Sequence, residues 1–214
     1  MAEFTALSEA MLAGDGEKVK AETERLLAAG TAPKEIIEKG LIAGMDVVGE
    51  LFQKWEIFIP DVLFAARAMQ EGMAVVRPHL GEGEVASAGM VVLGTVKGDV
   101  HDIGKKLVGM MLEGAGFEVT DLGTDVGPDA FVAAVKEKQA DIVGMSALLT
   151  TTMVSMKSTI DALTASGLRD RVKVMIGGAA VSEEYAEEIG ADAHGADAGA
   201  AVEIARGFMA ERAA

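Results

Sequence analysis

There is no cysteine among the 214 residues, which excludes disulfides, thiolate-held zinc, iron–sulfur clusters and a thiol nucleophile. Aromatic residues are scarce, with seven Phe, one Tyr and one Trp, so the core has to be built from small aliphatics. Cations are in short supply as well: 19 Lys and Arg stand against 34 Asp and Glu, a net charge of −15. That balance argues against non-specific nucleic-acid binding, which needs cations to displace condensed counterions. It also argues against docking on an anionic membrane surface. No uninterrupted apolar run approaches the roughly 20 residues of a membrane span. The opening MAEFTALSEAML lacks the basic start and apolar stretch of a secretory signal, so a cytoplasmic location is expected. Glycine, by contrast, is plentiful at 26, which suggests close backbone approach to something.

The chain has two rhythms. Residues 1–77 read as helix throughout, with Leu7, Met11, Val19, Leu26 and Leu27 at helical spacing. Gly30 would end one helix, Thr31 could cap the next, Pro33 suits its first turn and Glu35 its positive end. That helix is expected to reach Phe52, and Pro60 to open another through Val76, giving a bundle of about four helices. Residues 78–87 are polar and Gly-bearing and read as a linker. From 88 to 214 short apolar strands near 90–94, 117–121, 141–145, 172–176 and 191–194 alternate with longer helical patterns. That alternation implies parallel pairing and right-handed crossovers, a Rossmann-like, flavodoxin-like α/β domain. The strands show little inside-out alternation, as expected when helices cover both faces. In such sheets ligands sit at the carboxyl ends of the strands, so the loops there hold the candidate chemistry.

After the first strand comes Lys97-Gly98-Asp99-Val100-His101-Asp102-Ile103-Gly104. Asp99, two residues before His101, is placed to accept from one ring nitrogen and leave the other for a metal. Equally, His101 could cap the helix that Asp102 begins. The remaining histidines, His79 and His194, are far off in sequence, so a His₂ or His₃ zinc site is not expected. A metal held by His101 would have to arrive with most of its ligands already supplied. After the third strand, Ser146-Ala147-Leu148-Leu149-Thr150-Thr151-Thr152 makes either a polar pocket lip or a set of helix caps. After the fourth, Gly177-Gly178 offers backbone to a ligand or simply makes a tight turn.

Together these loops resemble a known family. Asp99 to Gly104 matches the D-x-H-x-x-G signature of cobalamin-binding domains, Ser146-Ala147-Leu148 its S-x-L element, and Gly177-Gly178 its paired glycine. Val48–Phe52, Phe58–Leu63 and Ala65–Met69 are similar to the helical cap of cobalamin-dependent methionine synthase, which free-standing corrinoid proteins of anaerobic methyltransferase systems share. The resemblance implies a bound cobalamin or other corrinoid whose own base is detached from cobalt and replaced by His101. Asp99 would hold the other ring nitrogen, and Thr152 would continue that relay. Asp102, Ile103 and Gly104 complete the signature. Ser146, Leu148 and Thr150 would line the pocket of the cofactor's nucleotide tail, with Gly104, Gly177 and Gly178 giving it room. Phe52, Ile59 and Val62 would cover the reactive face, although plain bundle core explains Phe52 and Val62 as well.

The family's cofactor cycles through Co(I), Co(II) and methyl–Co(III) states, with methylcobalamin as the carrier form. The resemblance therefore implies a methyl carrier of one-carbon metabolism in an anaerobe. It would be served by a substrate-specific methyltransferase, a second methyltransferase to tetrahydrofolate or coenzyme M, and a reductive activator of the corrinoid. The lid would have to move aside for each partner, with 78–87 permitting the rearrangement. The alternatives are a cobalamin-dependent sensor, which would usually add a basic DNA-binding domain, and the small cobalamin subunit of a mutase, which has no place for the Phe52–Val62 cap. A flavodoxin-like module without corrinoid would leave the three-loop match unexplained.

Overall fold

A buried strand must satisfy its backbone on both sides, and the second half of the chain does so with five parallel strands. The structure, a computed structural model, describes residues 4–80 and 87–213. By contact they fall into two units, Met1–Ser87 with Glu113–Gly116, and Ala88–Leu112 with Phe117–Ala214. Of the segment read as a linker, 78–87, residues 81–86 lie outside the described residues, and Arg77–His79 form a 3₁₀ turn.

The first unit holds α1 (Thr5–Leu12), α2 (Gly16–Ala28), a long helix made of α3 (Pro33–Glu35), a π-helical stretch (Ile36–Ile42) and α4 (Ala43–Gln53), and α5 (Ile59–Val76). The periodicity of the sequence runs unbroken from Leu7 to Leu27, but the helix stops between α1 and α2. Gly14 takes a left-handed φ of +65° there, and the Asp15 carboxylate caps α2 by accepting the Lys18 N–H at 3.0 Å. Thr31 does not take the cap position expected of it: Ala32 does, without a side-chain cap, and Pro33 opens the helix. The π-helical stretch has no signal in residue type alone. It turns Ile36, Ile37, Gly40 and Leu41 all inward, and a Cβ at Gly40 would come within 2.7 Å of Leu7. Close approach of helices, not a ligand, therefore accounts for this glycine and for Gly72, whose Cβ would press on Leu41 and Val19.

The second unit orders its strands β2-β1-β3-β4-β5, all parallel: β1 (Met90–Thr95), β2 (Glu118–Asp121), β3 (Ile142–Ser146), β4 (Lys173–Gly177) and β5 (Ala193–Gly195). Five helices make the connections and the end: α6 (Ile103–Gly114), α7 (Pro128–Lys138), α8 (Thr150–Ala165), α9 (Glu183–Ile189) and α10 (Ala198–Ala213). Val91 to Thr95 and Ile142 to Met145 are buried on both faces, the cause of their missing alternation. A Cβ on Gly94 would meet Phe131 at 2.5 Å, so helix–sheet packing claims that glycine too. After β1 the chain crosses to one side, to β2. After β3 it crosses to the other, to β4. The two loops diverge and leave a crevice at the carboxyl ends of β1 and β3, the switch point at which such sheets bind ligands.

Candidate functional site

The loop leaving β1 begins with a tight turn. The Asp99 N–H donates to the Val96 carbonyl at 3.1 Å, and Gly98 stands at φ +85°, which the third residue of a type II turn requires. The turn delivers Asp99 into the crevice, where it is 1 % exposed. One carboxylate oxygen, Oδ1, accepts the His101 backbone N–H at 3.0 Å and lies 2.7 Å from His101 Nδ1. The other, Oδ2, accepts the Thr152 hydroxyl at 2.7 Å and the Leu148 N–H at 2.8 Å. Residues 99, 101, 148 and 152, from two crossovers, thus converge on one carboxylate.

Burial by itself would push the Asp99 carboxyl up. The hydrogen bonds from Thr152, from the backbone and ring of His101 and from Leu148 outweigh it and hold the group well below the usual carboxylate range. The carboxylate also lies at the amino end of α8, where the helix dipole favours a negative charge. An ionised carboxylate only accepts, so the proton on the His101 ring belongs to Nδ1. Neutral His101 then carries its lone pair on Nε2, in a side chain that is 48 % exposed.

A second set of bonds secures the same loop from the other side. The buried Thr95 hydroxyl donates to the His101 carbonyl at 2.8 Å. In the loop after β2, Asp125 Oδ1 accepts the Gly98 N–H at 2.8 Å, while the Asp125 N–H donates to the Asp99 carbonyl at 2.9 Å. The buried Lys105, in the first turn of α6, pairs with Asp121 at the end of β2. Sequence reasoning missed Thr95, Lys105 and Asp125. For Asp125 the available signal was its setting, Gly123-Thr124-Asp125-Val126-Gly127-Pro128, which marks a turn but names no partner.

The other expected residues sort themselves by surroundings. Asp102 pairs with Lys106 one turn along α6, and that hydrogen bond holds its carboxyl low. Ser146 closes β3, and its carbonyl accepts the Val96 N–H at 3.0 Å. Thr150 is exposed at the start of α8. Gly177 and Gly178 have a cause inside the protein: a Cβ on Gly177 would meet the Gly195 carbonyl at 2.8 Å, and one on Gly178, at φ +117°, would collide with the Ala147 carbonyl. Gly104 has none. Its φ lies outside the left-handed region, and a Cβ there would meet no atom within 4 Å. In the helical unit Phe52 is half-buried and Ile59 is 44 % exposed, whereas Val62 is fully buried and behaves as bundle core.

The residues present suit a large metal macrocycle. Among the described residues no three His, Asp or Glu side chains gather to hold a bare ion. One oriented imidazole is offered instead, which fits a metal that brings its other ligands. Around it stand apolar side chains turned to solvent: Val100 at 70 %, Ile103 at 80 %, and Leu148 and Leu149. Such a rim suits a flat, largely apolar ligand. Gly104 leaves clearance beside it, although glycine in a helix costs about 1 kcal/mol relative to alanine.

Two family models, each described as a B12 binding domain, match the chain, one over residues 89–204 and one over 3–77. The chain is 48 % identical over 195 residues to the dimethylamine corrinoid protein of Methanosarcina barkeri, covering 91 % of this chain and 88 % of that one. It is 48 % identical over 185 residues to trimethylamine corrinoid protein 1 of Methanosarcina acetivorans, covering 85 % and 86 %. Among solved structures it is similar to the methanol:cobalamin methyltransferase complex MtaBC of Methanosarcina barkeri, with a TM-score of 0.88 and 32 % identity over 98 % of this chain and 80 % of the other.

Proposed function

We propose, from the premise that this chain belongs to the B12-binding corrinoid proteins, that it carries a methyl group from a substrate-specific methyltransferase to a second methyltransferase. When bound, a corrinoid supplies a cobalt that accepts and releases the methyl group, chemistry that the protein's own side chains cannot perform. The observation that carries the reading is the His101–Asp99–Thr152 relay at the β1/β3 switch point, inside the segment matched as a B12 binding domain. The match of 3–77 to its own model supports a carrier with a helical cap over a mutase subunit.

In this reading His101 would hold the cobalt of the corrinoid, through Nε2. Asp99 fixes the tautomer and aim of the ring, and Thr152, with the Leu148 N–H, keeps Asp99 ionised. The exposed Val100, Ile103, Leu148 and Leu149 would pack against the corrinoid's ring system, and Gly104 and Thr150 would border its tail. The remaining signature residues, Asp102, Ser146, Gly177 and Gly178, shape the loops around it. The helical unit would shield the reactive face through Phe52 and Ile59, while Val62 lies in the bundle core.

The partners follow from the relatives. Dimethylamine, trimethylamine and methanol systems all use proteins similar to this chain, so the methyl donor is chosen by the methyltransferase. Tetrahydrofolate or coenzyme M is the proposed final acceptor class, a reductive activator the third partner, and the cytoplasm the setting. Among the described residues no helix is long and apolar enough to cross a membrane. Reconstitution with hydroxocobalamin tests the reading. The expected spectrum is that of a corrinoid with its own base off and a histidine on, and His101→Ala should lose that ligation. A wild-type protein that retains no corrinoid through gel filtration would refute it.

A further inference from the structure

We propose that Asp125 is a positioning residue for this site, holding the loop that carries Asp99 and His101 from the neighbouring crossover. The inference rests on the assignment of His101 as the cobalt ligand. Asp125 lies between β2 and α7 and occupies the left-handed region at φ +56°, one of three non-glycine residues among those described to do so. Glycine is the residue that such a position ordinarily takes, and Asp tolerates it because its short polar side chain can bond locally. Packing does not explain the choice, since the side chain is 53 % exposed. Nor does its contact with Lys97, at 3.7 Å between two side chains that are both more than half exposed, a kind of pair that contributes little.

What the aspartate adds over glycine is an acceptor, and the acceptor is used. Oδ1 accepts the Gly98 N–H, and the Asp125 N–H donates to the Asp99 carbonyl, so one residue brackets the turn that sets Asp99. The two loops are closed further by the Val96–Val126 bridge, by the Val126 N–H on the Thr95 carbonyl and by the Thr95 N–H on the Gly123 carbonyl. Thr95 in turn holds the His101 carbonyl. The Asp99 and Thr152 relay fixes the ring, and Asp125 fixes the backbone from which the ring hangs.

Two variants separate the acceptor from the backbone. Asp125→Gly keeps the left-handed turn and deletes the acceptor, and Asp125→Asn keeps both. Each is loaded with hydroxocobalamin and reduced to Co(II), and the nitrogen splitting from His101 in the electron paramagnetic resonance spectrum is followed against pH. Losing one charge-assisted hydrogen bond should weaken histidine ligation about tenfold in Asp125→Gly, moving the loss of the signal up by about one pH unit. Asp125→Asn should stay within about twofold of wild type. Without cofactor, hydrogen exchange at the Gly98 amide should quicken in Asp125→Gly and not in Asp125→Asn. If Asp125→Gly leaves the His101 signal unmoved, or if both variants lose it equally, the inference is overturned while the site assignment stands. If wild type shows no nitrogen splitting that His101→Ala removes, the site assignment falls, and this inference with it.

Discussion

Replacing Asp99 by Asn alters one atom at the centre of the site. Two donors face Oδ1, and Oδ2 faces three, the Thr152 hydroxyl, the Leu148 N–H and, at 3.4 Å, the Leu149 N–H, so an amide group must turn its NH₂ toward donors whichever way it is flipped. The less costly flip faces Thr152, whose hydroxyl has a second acceptor in the Leu149 carbonyl at 3.0 Å. The Leu148 N–H is then left without its acceptor, at a cost of about 1–3 kcal/mol. Exchanging charged for neutral acceptors at His101 removes about 1 kcal/mol more. The expected loss for the protein without cofactor is therefore about 2–4 kcal/mol near neutral pH. Acid should shrink that difference. The carboxyl of wild-type Asp99 is depressed in the folded chain, so its contribution is complete above the unfolded value of about 3.9 and fades as pH falls toward the folded one. Asn has no such dependence. Native-state hydrogen exchange at core amides of β1 and β3, such as Val92 and Val143, reads the stability of the sheet unit directly, whatever the helical unit does. A gap under about 1 kcal/mol at pH 7, or one that does not narrow between about pH 5 and pH 2.5, would refute the reasoning.

Three glycine and near-glycine positions give further predictions. Gly104→Ala should stabilise the protein without cofactor by up to about 1 kcal/mol in thermal unfolding yet weaken retention of the corrinoid, and unchanged retention would show that the open space is not used. Gly178→Ala should cost at least about 2 kcal/mol in the same assay, because its Cβ meets the Ala147 carbonyl from a strained φ, and a neutral result would deny that packing claims this glycine. Trp55→Gly should leave thermal stability unchanged or raise it by about 1 kcal/mol, since Trp55 sits at φ +60° with its side chain 79 % exposed. A clear drop in melting temperature would mean that the indole packs more than its exposure suggests.

The alternation of apolar runs and helical patterns after residue 88 placed all five strands in order: β1, β3 and β4 because a strand buried on both faces is marked by composition over a few residues, and the half-exposed edge strands β2 and β5 through their place between helical patterns. The Asp99–His101 contact was equally legible, since its partners lie two positions apart, and Thr152 was reached through the family pattern. Other features depend on what lies across space. Nothing in Gly177-Gly178 distinguishes a ligand's clearance from a collision with Ala147 and Gly195. Nothing in Ile36–Ile42 announces a π-helix, which arises where α1 presses on the long helix at Gly40. Asp125 is 24 residues from His101 along the chain and on another crossover, so no local spacing could connect them. Val62 and Ile59 are neighbours in one motif, yet one is core and the other surface, a difference set by the face of α5 each occupies.

The carboxylate that orients His101 is itself seated by groups 49 and 53 positions further along the chain. A ribosome that has released only the first 120 residues has therefore made the D-x-H-x-x-G segment without making a competent ligand: the imidazole is there, but its tautomer is unset and its carboxylate unsecured. Competence arrives with β3 and the first turn of α8, in the same step that closes the middle of the sheet. If His101 holds a corrinoid as proposed, a chain cut or stalled before Thr152 would offer that cofactor no oriented ligand and leave it to intact neighbours.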